Sequence, residues 1–85
     1  MNIQLRFFAS LREALGTSQE RLEIPDDVTT VGAVRTLLQR RGGVWAEALA
    51  DGKVLRVACN QTMTDAGAAL PEGCELAFFP PVTGG

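Results

Sequence analysis

The residues best placed to do chemistry are the last eight, Phe78-Phe79-Pro80-Pro81-Val82-Thr83-Gly84-Gly85. Gly84 and Gly85 carry no side chain, so they can thread a narrow channel and take backbone angles closed to other residues. Pro80-Pro81 halts any strand, because proline has no N–H for a ladder, and stiffens the exit towards polyproline II. A stiff root and a thin tip together present the terminal carboxylate away from the body. From Pro81 to Gly85 the chain spans about 17 Å when fully extended. Such a tip suits a carboxylate that is itself the reacting group, inserted into another protein's active site. A Gly-rich end that merely frays is the competing reading. The Phe78-Phe79 pair, which should order the chain almost up to the tail, speaks for the functional one.

Elsewhere the chemistry is sparse. The chain has no histidine and no tyrosine. A Ser or Cys nucleophile would therefore lack its usual general base. The Asp and Glu residues are scattered, with no spacing that isolates a catalytic pair. No P-loop, Gly-x-Gly-x-x-Gly fingerprint or metal-ligand cluster appears. Cys59 and Cys74 are too few and too far apart in sequence for a disulfide scaffold or a zinc site, and are expected as small core residues. These absences point away from a self-sufficient enzyme and towards a binding module, a carrier or a subunit.

Composition narrows the partners. With a net charge of −2 there is no basic surface to neutralise phosphates, so nucleic acid is not expected. No apolar run approaches the ~20 residues of a membrane span. Met1-Asn2-Ile3-Gln4-Leu5-Arg6 alternates from the start and lacks the build of a signal peptide, so a cytoplasmic home is expected. The Asn60-Gln61-Thr62 sequon then carries no meaning.

The positioning elements read as one α+β unit of 85 residues, large enough for a single core. Ile3, Leu5 and Phe7 alternate with polar residues in a strand over 3–9. Ser10 and Glu13 are spaced as a capping box for a short helical turn to Leu15. Glu20 to Ile24 alternates again, with Leu22 and Ile24 inward, and should pair antiparallel with the first strand. Thr30 caps a helix to about Arg41, with Val31, Val34, Leu37 and Leu38 as its apolar stripe and Gly42-Gly43 as its stop. A short helical piece follows around Trp45, over 44–50. Leu55, Val57 and Cys59 mark a third strand, Thr62-Met63 a very short fourth, and 74–79 the last. The expected architecture is a mixed sheet packed on one main helix.

Adjacent strand residues face opposite sides. With Phe7 and Phe78 in the core, Phe8 and Phe79 fall on the outer face, where Met63 could extend them into an exposed patch. Patches of that kind mark partner surfaces. This one would lie at the root of the tail.

With these elements in place, the chain resembles the small subunits of molybdopterin synthase, sulfur carriers of the ubiquitin-like β-grasp superfamily. The resemblance spans nearly the whole chain. It rests on Phe7-Phe8-Ala9, Arg12-Glu13 and Gly16-Thr17, then Trp45-Ala46, Asp51-Gly52-Lys53 and Asn60-Gln61-Thr62, and finally Ala77 through Gly85. Together with the apolar alternation, it implies a β-grasp domain over 1–80, with strands 3–9 and 74–80 as parallel neighbours at the centre of the sheet, and a Gly-Gly tail over 81–85. It further implies that an ATP-dependent activating enzyme adenylates the Gly85 carboxylate. Sulfur from a persulfide would then replace AMP and leave a thiocarboxylate. The tail would enter the large synthase subunit, as part of a heterotetramer, and deliver sulfur to cyclic pyranopterin monophosphate to build the molybdopterin dithiolene. Gly84 would let the tip enter, while Phe8, Met63, Phe79, Pro80, Pro81, Val82 and Thr83 would meet the partner. No metal or cofactor is expected on this chain alone; ATP belongs to the activating enzyme, and the acid–base residues to the large subunit. A carrier for thiamine or tRNA thiolation, and a ubiquitin-like protein modifier or interaction module, are the alternatives.

Overall fold

A computed structural model of the chain describes residues 1–81. Its elements run β1 (Asn2–Phe7), α1 (Ala9–Leu15), β2 (Gln19–Glu23), α2 (Val31–Gln39), α3 (Gly43–Ala48), β3 (Arg56–Cys59), β4 (Thr62–Thr64) and β5 (Glu75–Phe79). The strands form one sheet in the order β2-β1-β5-β3-β4. β1 and β5 are parallel neighbours, with Leu5 opposite Leu76 and Phe7 opposite Phe78, as the alternation and the resemblance together led one to expect. β2 lies antiparallel on the far side of β1, with Ile3 opposite Leu22. β3 runs antiparallel to β5 and β4 antiparallel to β3.

The core follows from strand alternation and one helical stripe. Ile3, Leu5, Phe7, Leu76 and Phe78 point to one face, where Val31, Val34 and Leu38 of α2 cover them. Leu11 and Leu15 of α1, together with Leu49, close the flank beside this layer. Thr30 caps α2 as read from the sequence, its Oγ1 accepting from the Ala33 N–H at 3.2 Å. The helix ends at Gln39, and the chain leaves through Gly42 at φ +75°. Asn60 and Gln61 both have positive φ, the two-residue turn that matches the twist of the β3–β4 hairpin.

At α1 the structure departs from the sequence reading. β1 stops at Phe7, and Phe8 is the extended N-cap, its carbonyl accepting from the N–H groups of Leu11 and Arg12. Ser10 lies inside the first turn and caps nothing, so the Ser10–Glu13 capping box does not form. Starting the helix at Ala9 is what turns Leu11 and Leu15 towards the core, and that burial outweighs a cap worth ~1 kcal/mol.

Two polar side chains organise the stretch before β3. Arg35 on α2 donates to the carbonyls of Leu49 (2.8 Å), Ala50 and Lys53 (3.0 Å). Gln39 donates to Leu49 O at 2.6 Å and to Asp51 Oδ1 at 2.8 Å. Carbonyls at the end of α3 that would otherwise lack helical partners are thereby satisfied. Among the described residues, no helix is long and apolar enough to cross a membrane.

Candidate functional site at the root of the tail

β5 delivers two aromatic rings to opposite faces just before the proline pair. Inward, Phe78 stacks on Phe7, with ring centroids 6.3 Å apart and planes at 19°. Phe7 in turn meets the edge of Trp45 at 5.6 Å. Outward, Phe79 meets Phe8 edge-on, with centroids 6.3 Å apart and planes at 84°. The Phe8 N–H donates to Phe78 O at 3.2 Å, tying the end of β1 to the end of β5. The Arg6 guanidinium lies 5.6 Å from the Phe8 ring centroid. The point where the tail leaves is thus fixed on both faces by aromatic contacts.

Phe8 is 41% exposed and Met63 52%, as expected for a partner face. Phe79 differs: it is half-buried, because the Phe8 ring covers one side of it. Pro80 and Pro81 are half-buried too. Val82, Thr83, Gly84 and Gly85 lie outside the described residues.

Strand register also places on this face two residues to which the sequence reading gave no role. Arg6, Ala77, Ala58 and Met63 form one row across the outer face, on β1, β5, β3 and β4. Phe79, opposite Arg56, stands in the next row. The alanines therefore make a low floor between the Phe8–Phe79 pair and Met63, bounded by Arg6 and Arg56. An apolar strip results, bordered by Arg6, Arg56 and Glu75, in which Ala58 and Ala77 are themselves only 8% exposed. The available signal was phase: Ala58 and Ala77 alternate with core residues Val57 and Phe78.

Charge and thiol chemistry lie away from this strip. Arg41 makes a paired contact with both oxygens of Glu20 and lies 4.4 Å over the Trp45 ring. The hydrogen bond from Arg41 holds the Glu20 carboxyl below its ordinary range, against partial burial that pushes it up. Burial pushes the Cys74 thiol up to about 11, and the neighbouring Cys59 thiol adds to the shift. Among the described residues, no group of three or more His, Cys, Asp or Glu side chains could hold a metal ion.

A mixed sheet in this strand order, wrapped on one helix, with an aromatic pair and two prolines closing its central strand, defines a ubiquitin-like β-grasp protein. The chain belongs to the ThiS family, whose sequence model matches residues 5–85. It is 48% identical to the molybdopterin synthase sulfur carrier subunit of Haemophilus influenzae, over 98% of this chain and 99% of that one. It is 46% identical to the Escherichia coli subunit of the same name, with the same coverage. Small archaeal modifier protein 3 of Haloferax volcanii is 32% identical over the full length of both chains. Among solved structures, that of a Haloferax volcanii protein matches with a TM-score of 0.79 at 34% identity, over 100% of this chain and 87% of that one.

Proposed function

We propose that the chain is the sulfur carrier and small subunit of a molybdopterin synthase. One observation carries this reading: the likeness to sulfur carrier subunits covers nearly the whole chain, and the family match runs through Gly85. The carboxylate at Gly85 is a poor electrophile, since resonance and negative charge both repel a sulfur nucleophile. Adenylation by an ATP-dependent activating enzyme supplies a good leaving group. Sulfur from a persulfide replaces AMP, and the thiocarboxylate is carried on the tail into the large subunit. There it donates sulfur to cyclic pyranopterin monophosphate, and two such transfers complete the dithiolene.

The geometry at the tail root supports the carrier role. Phe8, Phe79 and Met63 offer an apolar face to the large subunit, and the prolines aim the tail from its edge. A partner seated there would receive the tail beside its own contact surface. The acid–base groups belong to the partner, which accords with a chain that has no histidine. A reducing, ATP-supplied cytoplasm is the compartment this chemistry requires.

A second reading is favoured by the identity to small archaeal modifier protein 3. In a modifier the activated carboxylate would form an isopeptide bond to a lysine instead of accepting sulfur. The intact mass of the chain, purified from cells with an active sulfur pathway, separates the two. A carrier shows one terminal oxygen replaced by sulfur. A modifier shows conjugates to other proteins and no such replacement.

A further inference from the structure

Ala9 stands between Phe8 and the first turn of α1 with φ at +53°. That is the left-handed region, where a β-carbon crowds the following carbonyl and only glycine rests without cost. Among the described residues, Asn60 and Gln61 are the other non-glycine residues with positive φ, and the tight β3–β4 turn accounts for both. No hairpin requires it at Ala9. The Ala9 side chain is exposed, so no buried contact of its own holds it there. The constraint comes from its neighbours. The Phe8 N–H donates to Phe78 O at 3.2 Å, which keeps Phe8 extended beside β5 at φ −122° and ψ 157°. The Phe8 carbonyl accepts from the N–H groups of Leu11 and Arg12 at 3.1 and 3.4 Å. Leu11 and Leu15 are buried in the core.

An ordinary helical φ at Ala9 would turn Phe8 against α1 by roughly 115°. One of the two would have to leave its place. The burial of Leu11 and Leu15 holds α1 on the core. Phe8 is the exposed element and would yield, lifting its ring from Phe79, where the ring centroids lie 6.3 Å apart. Phe79 directly precedes Pro80-Pro81, so this ring pair fixes the direction in which the tail starts. We propose that Ala9 is a positioning residue of the carrier. Its left-handed backbone holds the Phe8 ring on Phe79 and, through that pair, sets the tail root for the large subunit. The role in the partner complex rests on the function proposed above; the role within the free chain does not. Strain held by its surroundings at such a point is part of how a site is pre-organised.

A side chain at position 9 then matters only through the φ it permits. Gly and Asn enter the left-handed region readily, whereas a β-branched residue is held away from it. Asn is nearly as large as Val, so comparing Ala9→Asn with Ala9→Val separates backbone preference from bulk.

The test uses the full-length chain. Nuclear Overhauser effects between the Phe8 and Phe79 rings read the contact in the free protein, and titration calorimetry with the large subunit reads its use. Ala9→Gly and Ala9→Asn should keep the ring-to-ring effects and the wild-type affinity. Ala9→Val should lose them and bind at least about tenfold more weakly, as when an aromatic anchor is displaced. Its core methyl shifts should match those of the wild type, showing that α1 stays in place and the chain is folded. In a Phe8→Ala background, Ala9→Val should cost no more than about twofold, because its effect passes through the ring. The proposal is overturned if Ala9→Val keeps the ring contact, if Ala9→Asn loses affinity as Ala9→Val does, or if the loss persists undiminished without the Phe8 ring. A wild-type chain that does not bind the large subunit would instead defeat the function proposed above, and the ring contacts of the free chain would still decide the role of Ala9.

Discussion

Phe8, the last residue before α1, meets Phe79, the last residue of β5, edge to face with ring centroids 6.3 Å apart. The contact joins the end of β1 to the point where the tail begins, on the face that no described helix covers. Part of Phe79 is thereby covered by an intramolecular contact, and the remaining exposed part is open to a partner.

That division sets the first prediction. Phe79→Ala should weaken association with the large synthase subunit at least tenfold, since a buried aromatic anchor often costs about 2 kcal/mol or more on truncation. It should also lower the stability of the free subunit slightly, by about 0.5–1.5 kcal/mol for the lost ring pair. Titration calorimetry and urea unfolding measure the two effects separately. Unchanged affinity would remove Phe79 from the partner surface.

The alanine floor gives a second. Ala77→Glu puts a charge in the middle of the strip without touching the core face. It should reduce association at least as much as Phe79→Ala, because a carboxylate, even with Arg6 opposite it on β1, loses its water when the interface closes. Ala77 is only 8% exposed, so the longer side chain should also lower the melting temperature, which the free chain reports separately. If the partner still binds with native affinity, the strip lies outside the interface.

Gly32 offers a stability test remote from the tail. Its N–H donates to Ala66 O at 2.8 Å, and a β-carbon built there would come within 3.1 Å of that same oxygen and 3.2 Å of the Ala66 β-carbon. Gly→Ala inside a helix normally gains up to about 1 kcal/mol. Here overpacking against the loop should reverse the sign and cost roughly 1 kcal/mol or more. A higher urea midpoint for Gly32→Ala would show that the loop yields freely.

Acid sensitivity should trace in part to Glu20. Its carboxyl is held below the ordinary range by the hydrogen bond from Arg41, so this contribution is full above the unfolded glutamate value. It is lost as pH falls through the lower folded value. The pair is partly solvated, so Glu20→Gln should cost no more than about 1 kcal/mol at neutral pH. The difference from wild type should vanish in strong acid. Unfolding curves at the two pH values check both the size and the sign.

Much of this architecture was legible because alternation and helical spacing are local signals. Ile3, Leu5 and Phe7 announced β1, and Thr30 with Val31, Val34 and Leu38 announced α2. The inward and outward phases of Phe78 and Phe79 were legible for the same reason. Contacts set by register or by competition were not. Ser10 has the spacing of a cap, but with Leu11 and Leu15 buried the helix is capped at Phe8, two residues earlier. Ala58 and Ala77 carry no chemical signal of their own; they matter because four strands align them. The anchoring of Leu49, Ala50 and Lys53 by Arg35 likewise depends on where α3 ends, which spacing does not encode.

The carrier account rests most heavily on Gly85, and deleting that residue tests it most directly. The shortened tail would stop up to about 3.6 Å short of the reacting position. Reacting atoms must be held about 3–3.5 Å apart, so that gap is decisive. Gly84→Val, which fills the channel and restricts φ, serves as the companion variant. Each protein is combined with the activating enzyme, ATP, a persulfide donor, the large subunit and cyclic pyranopterin monophosphate, and molybdopterin formation is followed. The account predicts that neither variant gains the terminal sulfur or supports product formation, while both melt at the wild-type temperature. Normal molybdopterin formation by the chain lacking Gly85 would contradict it.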